Sequence, residues 1–448
     1  MKWTTIKGTE GFIRVAQNED GQWWMLDAEG NPFVTKAVAG VNRAGTTGGR
    51  LAKPGPYADA VDRLYDYQTS PDLFVETELN RLREWGFNTL GSWVTPEFFD
   101  RGMFYTDIID FRPRLPEVLI KVPGFHNSDV FDPRFQEGVD RLTAEFCPPR
   151  RDQKEFMGWF VDNEAGWGQP GTDHVWGGDE SLNAKGTPTL LQIAMALEED
   201  RPLKRAAWDF VTERYGKVAN IAGAWNFPFE DEADFRVRTE AGARANHPKY
   251  GEDNHVFSKK YATEYFRITG ESIRRHDPNH LLLGCRFGAP PGHAIAEACR
   301  ESEWIDVISA NNYRETMKSR MDEFFGPMQK PLLIGEYAWC SDYHALPGRD
   351  PSPLGDPDFP EDLRVEIKGR VALEESFTHP AVIGYTWYRW IQRVEPERPW
   401  RNYSLVGIED EVNPFNTRLL KEINPKAEAI RKGELAPVTR DELLAQHI

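Results

Sequence analysis

The chain is poor in cysteine: Cys147, Cys285, Cys299 and Cys340 are the four in 448 residues, and no two form a CxxC pair. That spacing excludes a disulfide framework and a thiolate metal cluster, and it predicts reduced, mostly buried thiols. Metal signals are equally thin. The ten histidines are dispersed without an HExxH, and Asp350, Asp356 and Asp358 lack the spacing of a calcium loop, so no metal and no cofactor are expected. No glycine-rich phosphate loop follows a strand, and no GxSxG elbow occurs. Basic residues are the minority, 54 against 71 acidic, and the resulting charge of −17 argues against nucleic acid or an anionic membrane as partner. No apolar run approaches a membrane span, and Met1 to Lys7 lacks the apolar core of a secretory signal. A cytoplasmic protein is the expectation, although a secreted mature form reads the same way. Internal repeats and low-complexity tracts are absent, and nothing in the chain specifies an oligomeric state.

Aromatics, by contrast, make up 12% of the chain, with 15 tryptophans. Most belong in a large core; the surplus fits a surface where flat rings meet the apolar faces of a ligand. Residues 1–35 read as a β-hairpin cap, with turns at Asn18-Glu19-Asp20-Gly21 and Glu29-Gly30-Asn31-Pro32. From residue 36 strands and helices alternate. Eight strands are predicted, at Lys36–Asn42, Phe87–Trp93, Val118–Val122, Phe156–Asn163, His280–Arg286, Ile305–Asn312, Pro331–Gly335 and Ala381–Trp387. Ser70-Pro71 and Asp132-Pro133 are helix starts, followed by the apolar stripes Val75, Leu79, Leu82 and Phe135, Val139, Leu142, Phe146. Ser258–His276 and residues 361–378 complete the clearest helices. The pattern predicts an α/β protein, a (β/α)8 TIM barrel over 36–435 with long loops after strands four and seven and a tail over 436–448. A doubly wound sheet is the other arrangement the count allows.

Two of these strands end in glutamate. Phe156-Met157-Gly158-Trp159-Phe160-Val161 runs into Asp162-Asn163-Glu164, and Pro331-Leu332-Leu333-Ile334-Gly335 into Glu336-Tyr337. A carboxylate closing a buried strand is costly unless it has a partner or a task. Two of them at one barrel mouth suit the cleavage of a glycosidic bond, one protonating the departing oxygen while the other attacks or activates water. A separation of about 5–5.5 Å would give retention of configuration. Glu164 is the acid/base candidate and Glu336 the nucleophile, with Gly335 leaving room beside it. Asp162 should point away from the site.

These segments resemble clan A of the glycoside hydrolases, whose (β/α)8 enzymes carry an Asn-Glu acid/base after strand four and a Glu nucleophile after strand seven. More closely, Gly21-Gln22-Trp23-Trp24 through Gly40-Val41-Asn42, Gly158 to Glu164, Asp277-Pro278-Asn279-His280-Leu281 with Gly284-Cys285-Arg286-Phe287, Gly335-Glu336-Tyr337 and His379 to Trp387 resemble glycoside hydrolase family 50, the β-agarases. The stretch from Phe210 to Trp225 is also similar to clan A β-galactosidases. The resemblance implies a retaining β-glycosidase acting on a β-linked galactan or galacto-oligosaccharide of the agar type. The alternatives are a β-galactosidase or β-glucosidase of short oligosaccharides, or a sugar-binding barrel without catalysis. By strand-end position and resemblance, Asn163 would donate to a sugar hydroxyl, Tyr313 would orient the nucleophile and Trp387 would stack beneath the sugar. Arg286 would hold Glu336 ionised. Asn42, Trp93 and His126, placed after strands one to three, are candidate hydroxyl or ring contacts. Trp167 and Trp176 would build outer subsites, or serve instead as packing that shields the interior from solvent, and Trp339 flanks the nucleophile.

Overall fold

The computed structural model describes residues 1–45, 53–169, 187–313, 317–339, 361–391 and 403–446. The chain opens with a four-stranded antiparallel meander: β1 (Trp3–Lys7), β2 (Arg14–Asn18), β3 (Trp23–Leu26) and β4 (Pro32–Phe33). Asn18 makes the first turn, its side-chain oxygen accepting from the backbone N–H groups of Asp20 (3.0 Å) and Gln22 (2.9 Å), while Gly21 supplies the left-handed residue at φ +80°. β1 is absent from the sequence expectation because its middle residues, Thr4, Thr5 and Ile6, are exposed and show no apolar alternation, as an edge strand allows.

The barrel strands follow: β5 (Thr35–Val38), β6 (Thr89–Leu90) and β7 (Phe104–Ile108). Next come a hairpin, β8 (Leu119–Val122) and β9 (Phe125–Ser128), then barrel strand β10 (Phe156–Phe160) and β11 (Gly166–Trp167), which joins the hairpin. The last barrel strands are β12 (Leu281–Leu282), β13 (Ile308–Asn311), β14 (Leu332–Tyr337) and β15 (Val382–Trp387). The eight run parallel in the order β12-β10-β7-β6-β5-β15-β14-β13. The ring closes between β12 and β13: the Leu282 carbonyl accepts from Asp306 N (3.0 Å) and Val307 N (3.1 Å), and Phe287 bridges to Ala310. The expected (β/α)8 barrel is the observed architecture.

The third strand is not where the sequence pattern places it. Val118–Val122 lies in the side hairpin, because Val122-Pro123-Gly124-Phe125 has proline and glycine at the two central positions of a tight turn, with Gly124 at φ +82°. The true third strand is β7, reached from β6 through a single 3-10 turn, Pro96–Phe98, rather than a helix. With no crossover helix of ordinary length between them, the strand–helix rhythm skips a strand.

The helices follow their start signals. Pro71 precedes the helix Asp72–Glu84, and Val75, Leu79 and Leu82 are buried. The Asp132 carboxylate caps Pro133–Phe146 by accepting from Arg134 N at 2.9 Å. The long connection after β10 is helical through Leu190–Met195, Pro202–Tyr215, Val218–Trp225 and Glu232–Glu240. It leads into Pro248–His276, which begins earlier than expected. Cys147, Cys285 and Cys299 are buried free thiols. The loop of residues 340–360 expected at the catalytic face lies outside the described residues. No described helix is long and apolar enough to cross a membrane.

One buried cation fastens the cap to the barrel. Arg431 is 1% exposed, lies against the Trp24 ring, and donates to the carbonyls of Trp23, Phe377, His379 and Pro380. Methionine would fill the volume but take one shared fork of donors from four carbonyls, of which His379 and Pro380 keep only the bonds from Val382 N and Trp23 N. We expect Arg431→Met to lower unfolding stability by about 3 kcal/mol in urea titration. Arg431→Lys should rescue little of it, because an ammonium cannot reproduce the planar fork.

Candidate active site

The C-terminal ends of the barrel strands carry an unusual backbone. Trp93, Asp110, Glu164 and Arg286, which follow strands two to five, have φ of +64°, +60°, +48° and +53°. Left-handed backbone is disfavoured for side-chain-bearing residues, so four consecutive strand ends holding it mark a place where geometry overrides local preference. At each of these turns the backbone leaves the extended conformation of the strand. The Glu164 N–H donates to the Arg286 carbonyl at 3.0 Å, coupling two of these turns.

Arg286 is the hub. Fully buried, it lies between the rings of Trp93 and Phe160, each 4.9 Å from the guanidinium carbon. Its Nη2 donates to Glu336 Oε1 at 2.7 Å, its Nε to Asn163 Oδ1 at 2.8 Å and its Nη1 to Ser92 Oγ at 2.9 Å. Tyr313 donates its hydroxyl to the other oxygen of Glu336. Asn311, in register with Glu336 across β13 and β14, donates from Nδ2 to Asn163 Oδ1 at 3.2 Å and to Glu164 Oε1 at 2.9 Å. Glu164, Glu336, Asn163, Tyr313 and Arg286 therefore belong to one continuous network.

The two glutamates have different surroundings. Both oxygens of Glu336 accept hydrogen bonds, one from a guanidinium. Glu164 has one donor, on Oε1; its Oε2 is buried without a hydrogen-bond partner among the described residues. Burial, and then the negative charge of Glu336, push the Glu164 carboxyl up to about 8. Gly288 adds to that burial: a Cβ on it would sit 3.2 Å from the Glu164 carboxyl carbon. Gly335 matters for the same kind of reason, since a Cβ there would lie 2.5 Å from Asn311 Oδ1. Asp162 turns away, accepting from Tyr265 at 2.6 Å and from the Arg112 N–H at 3.0 Å.

The expected ring contacts are mostly buried. Trp387 has no exposed surface, and its indole donates to the Tyr403 carbonyl at 2.9 Å. Trp339 binds Asn416 Oδ1 at 2.8 Å and packs edge-on to Trp387, and Trp167 is enclosed by Tyr261, Tyr265, Phe266 and Phe287. Trp93 packs on Arg286 instead of facing solvent. The partly exposed ring after strand eight belongs to Tyr388, edge-on to Trp93 and Tyr313. Asn42 is buried, donating to the Trp93 carbonyl at 2.8 Å, so it braces two strand ends. His126 lies in β9, not after the third barrel strand, and pairs with Gly166 just beyond Glu164. Trp176 lies outside the described residues.

Four participants escaped the sequence reading. Asn311 ends strand six, and strict alternation along Ile308–Asn311 was the available signal. Ser92 sits one residue before Trp93. Asp110, which hydrogen-bonds the Trp93 indole, and Arg112, which donates to the carbonyls of Asn163 and His126, follow the strand whose position the pattern missed. Among the described residues no group of His, Cys, Asp and Glu could hold a metal ion.

Comparison with known proteins gives the same likeness as the motifs. No family model matches the chain. β-Agarase B of Vibrio sp. (strain JT0107) is 23% identical over 477 residues, covering 90% of this chain and 47% of that protein. Among solved structures, an exo-β-agarase superposes with a TM-score of 0.73 at 19% identity, over 96% of this chain and 66% of that one. BpGH50 superposes with a TM-score of 0.65 at 18% identity, over 97% of this chain and 85% of that one. The chain is thus similar to family 50 β-agarases, and it spans about half the length of the curated relatives it matches.

Proposed function

We propose that the chain is a retaining glycoside hydrolase that cleaves β-linked galactans or galacto-oligosaccharides. The observation that carries this reading is the network joining Glu164 to Glu336 through Arg286, Asn163 and Asn311, with the two carboxyls in unequal surroundings. Such inequality is what separates an acid from a nucleophile. Glu336, oriented by Arg286 and Tyr313, attacks the anomeric carbon as the C–O bond to the leaving group breaks. Glu164 delivers its proton to the departing oxygen. The glycosyl-enzyme neutralises the charge on Glu336, which removes one of the influences raising Glu164, and the latter then takes a proton from the attacking water. Asn163 presents its NH2, without a partner among the described residues, to a substrate hydroxyl, since its Oδ1 is already occupied by two donors. The galactan assignment rests on the likeness to β-agarases.

Incubation with an activated 2-deoxy-2-fluoro-β-galactoside tests the reading. A stoichiometric mass increase mapped to Glu336 is the expected result. Reversible binding with no adduct would mean a sugar-binding barrel, and an adduct on another residue would displace the nucleophile assignment.

A further inference from the structure

The donors and acceptors around Glu164 form a chain in which every orientation is forced by the one before. It starts at Arg286, whose guanidinium has no acceptor. The atom of Asn163 that Arg286 Nε meets at 2.8 Å must therefore be the amide oxygen. The atom of Asn311 that approaches that oxygen at 3.2 Å must be its NH2. The same NH2 lies 2.9 Å from Glu164 Oε1, so Oε1 is an acceptor whether Glu164 is ionised or neutral. A proton on Oε1 would face another donor. Asn311 itself is held in place by close contact: its Oδ1 lies where Gly335 has no Cβ, 2.5 Å from the position a Cβ would take.

Resting on the reading of Glu164 as acid/base, we propose that Asn311 is a positioning residue that fixes the acidic proton on Glu164 Oε2. Oε2 is buried and without a hydrogen-bond partner among the described residues, so a leaving-group oxygen admitted to the site would meet it without displacing a protein donor. In the first step the Oε2–H bond breaks as the leaving oxygen gains the proton and the anomeric carbon passes to Glu336. After that Oε2 is the site that accepts a proton from water. Asn311 thus decides which of two chemically equivalent oxygens does the work, and it stabilises the ionised form when the proton has gone.

Asn311→Asp and Asn311→Leu, both close in size, separate this role from packing. In Asn311→Asp an acceptor faces Oε1 and draws the proton there. kcat/KM on a galactan oligosaccharide, whose alkoxide leaves poorly, should fall ~10²-fold. On 2,4-dinitrophenyl β-galactoside, whose leaving group needs no proton, the fall should be under ~10-fold. In Asn311→Leu the ionised carboxylate loses its donor, so the Glu164 titration midpoint, followed by difference infrared spectroscopy, should rise by about half to one pH unit. Equal losses on both substrates, or an unmoved midpoint in a folded Asn311→Leu protein, would overturn the proposal. The infrared arm needs no turnover, whereas failure of the glycosidase reading would appear as a missing adduct on Glu336 in the unsubstituted protein.

Discussion

Glu164→Ala should lower kcat/KM on unactivated galactan oligosaccharides by ~10³-fold, a loss of about 4 kcal/mol in transition-state stabilisation. With a dinitrophenyl β-galactoside the first step needs no acid, so the glycosyl-enzyme should form quickly and then accumulate for want of a base. Azide, small and already anionic, should restore turnover and yield the β-galactosyl azide, attacking the intermediate from the face that Glu164 once served. Glu336→Ala should abolish turnover of both substrates, and azide there should give the α-galactosyl azide, because it enters from the vacant nucleophile face. The stereochemistry by proton NMR therefore assigns each residue independently of rate. An inverted product from Glu164→Ala would exclude the acid/base role. The pH dependence carries a further check. Glu164 must be protonated to act first, and its carboxyl sits at about 8, so kcat/KM should decline as pH rises through that value. The decline should vanish in azide-rescued Glu164→Ala. The same elevation opposes folding. A carboxyl raised above its unfolded value of 4.5 contributes stability that is fully present below that pH and lost as pH climbs toward 8. Glu164→Gln should therefore unfold at a higher urea concentration than the parent at pH 7.

The glutamates were legible because burying a charge is expensive. After five apolar residues, Asp162-Asn163-Glu164 has few bland explanations, and neither has Glu336 after Leu332 to Gly335. Barrel topology supplied their proximity, since strands four and seven share one mouth. What failed was whatever depends on packing rather than pattern. β6 and β12 contain two residues each, too few for a period, and the step from β6 to β7 lacks the helix that punctuates the rest. Tryptophans at strand ends were ambiguous between wall and ligand surface; Trp387 and Trp339 are buried with their indole donors held by Tyr403 and Asn416. Asn311 was hidden for a different reason. Its importance lies in a donor shared between Asn163 and Glu164, 148 and 147 residues away, a relation no local window contains.

The largest combined effect on stability and turnover is expected at Arg286. Its charge is fully buried, and the Glu336 carboxylate beside it is 4% exposed. A pair of this kind gains little over an apolar replacement of both members, but removing one member strands the other without water or counter-charge. Arg286→Met should cost about 3–5 kcal/mol of unfolding stability and reduce kcat/KM ~10³-fold or more, since Asn163 also loses one of its two donors and Ser92 loses the guanidinium. Arg286→Lys should recover a small part, because a single ammonium cannot reach Glu336, Asn163 and Ser92 from one plane. The informative measurement is the double-mutant cycle. If the penalty comes from an orphaned carboxylate, Glu336→Gln should be nearly neutral or stabilising in the Arg286→Met background, with a coupling energy of about 2–3 kcal/mol. If Arg286 acts mainly by packing between Trp93 and Phe160, the two losses should add, and the charge-pair account of this site would have to be abandoned.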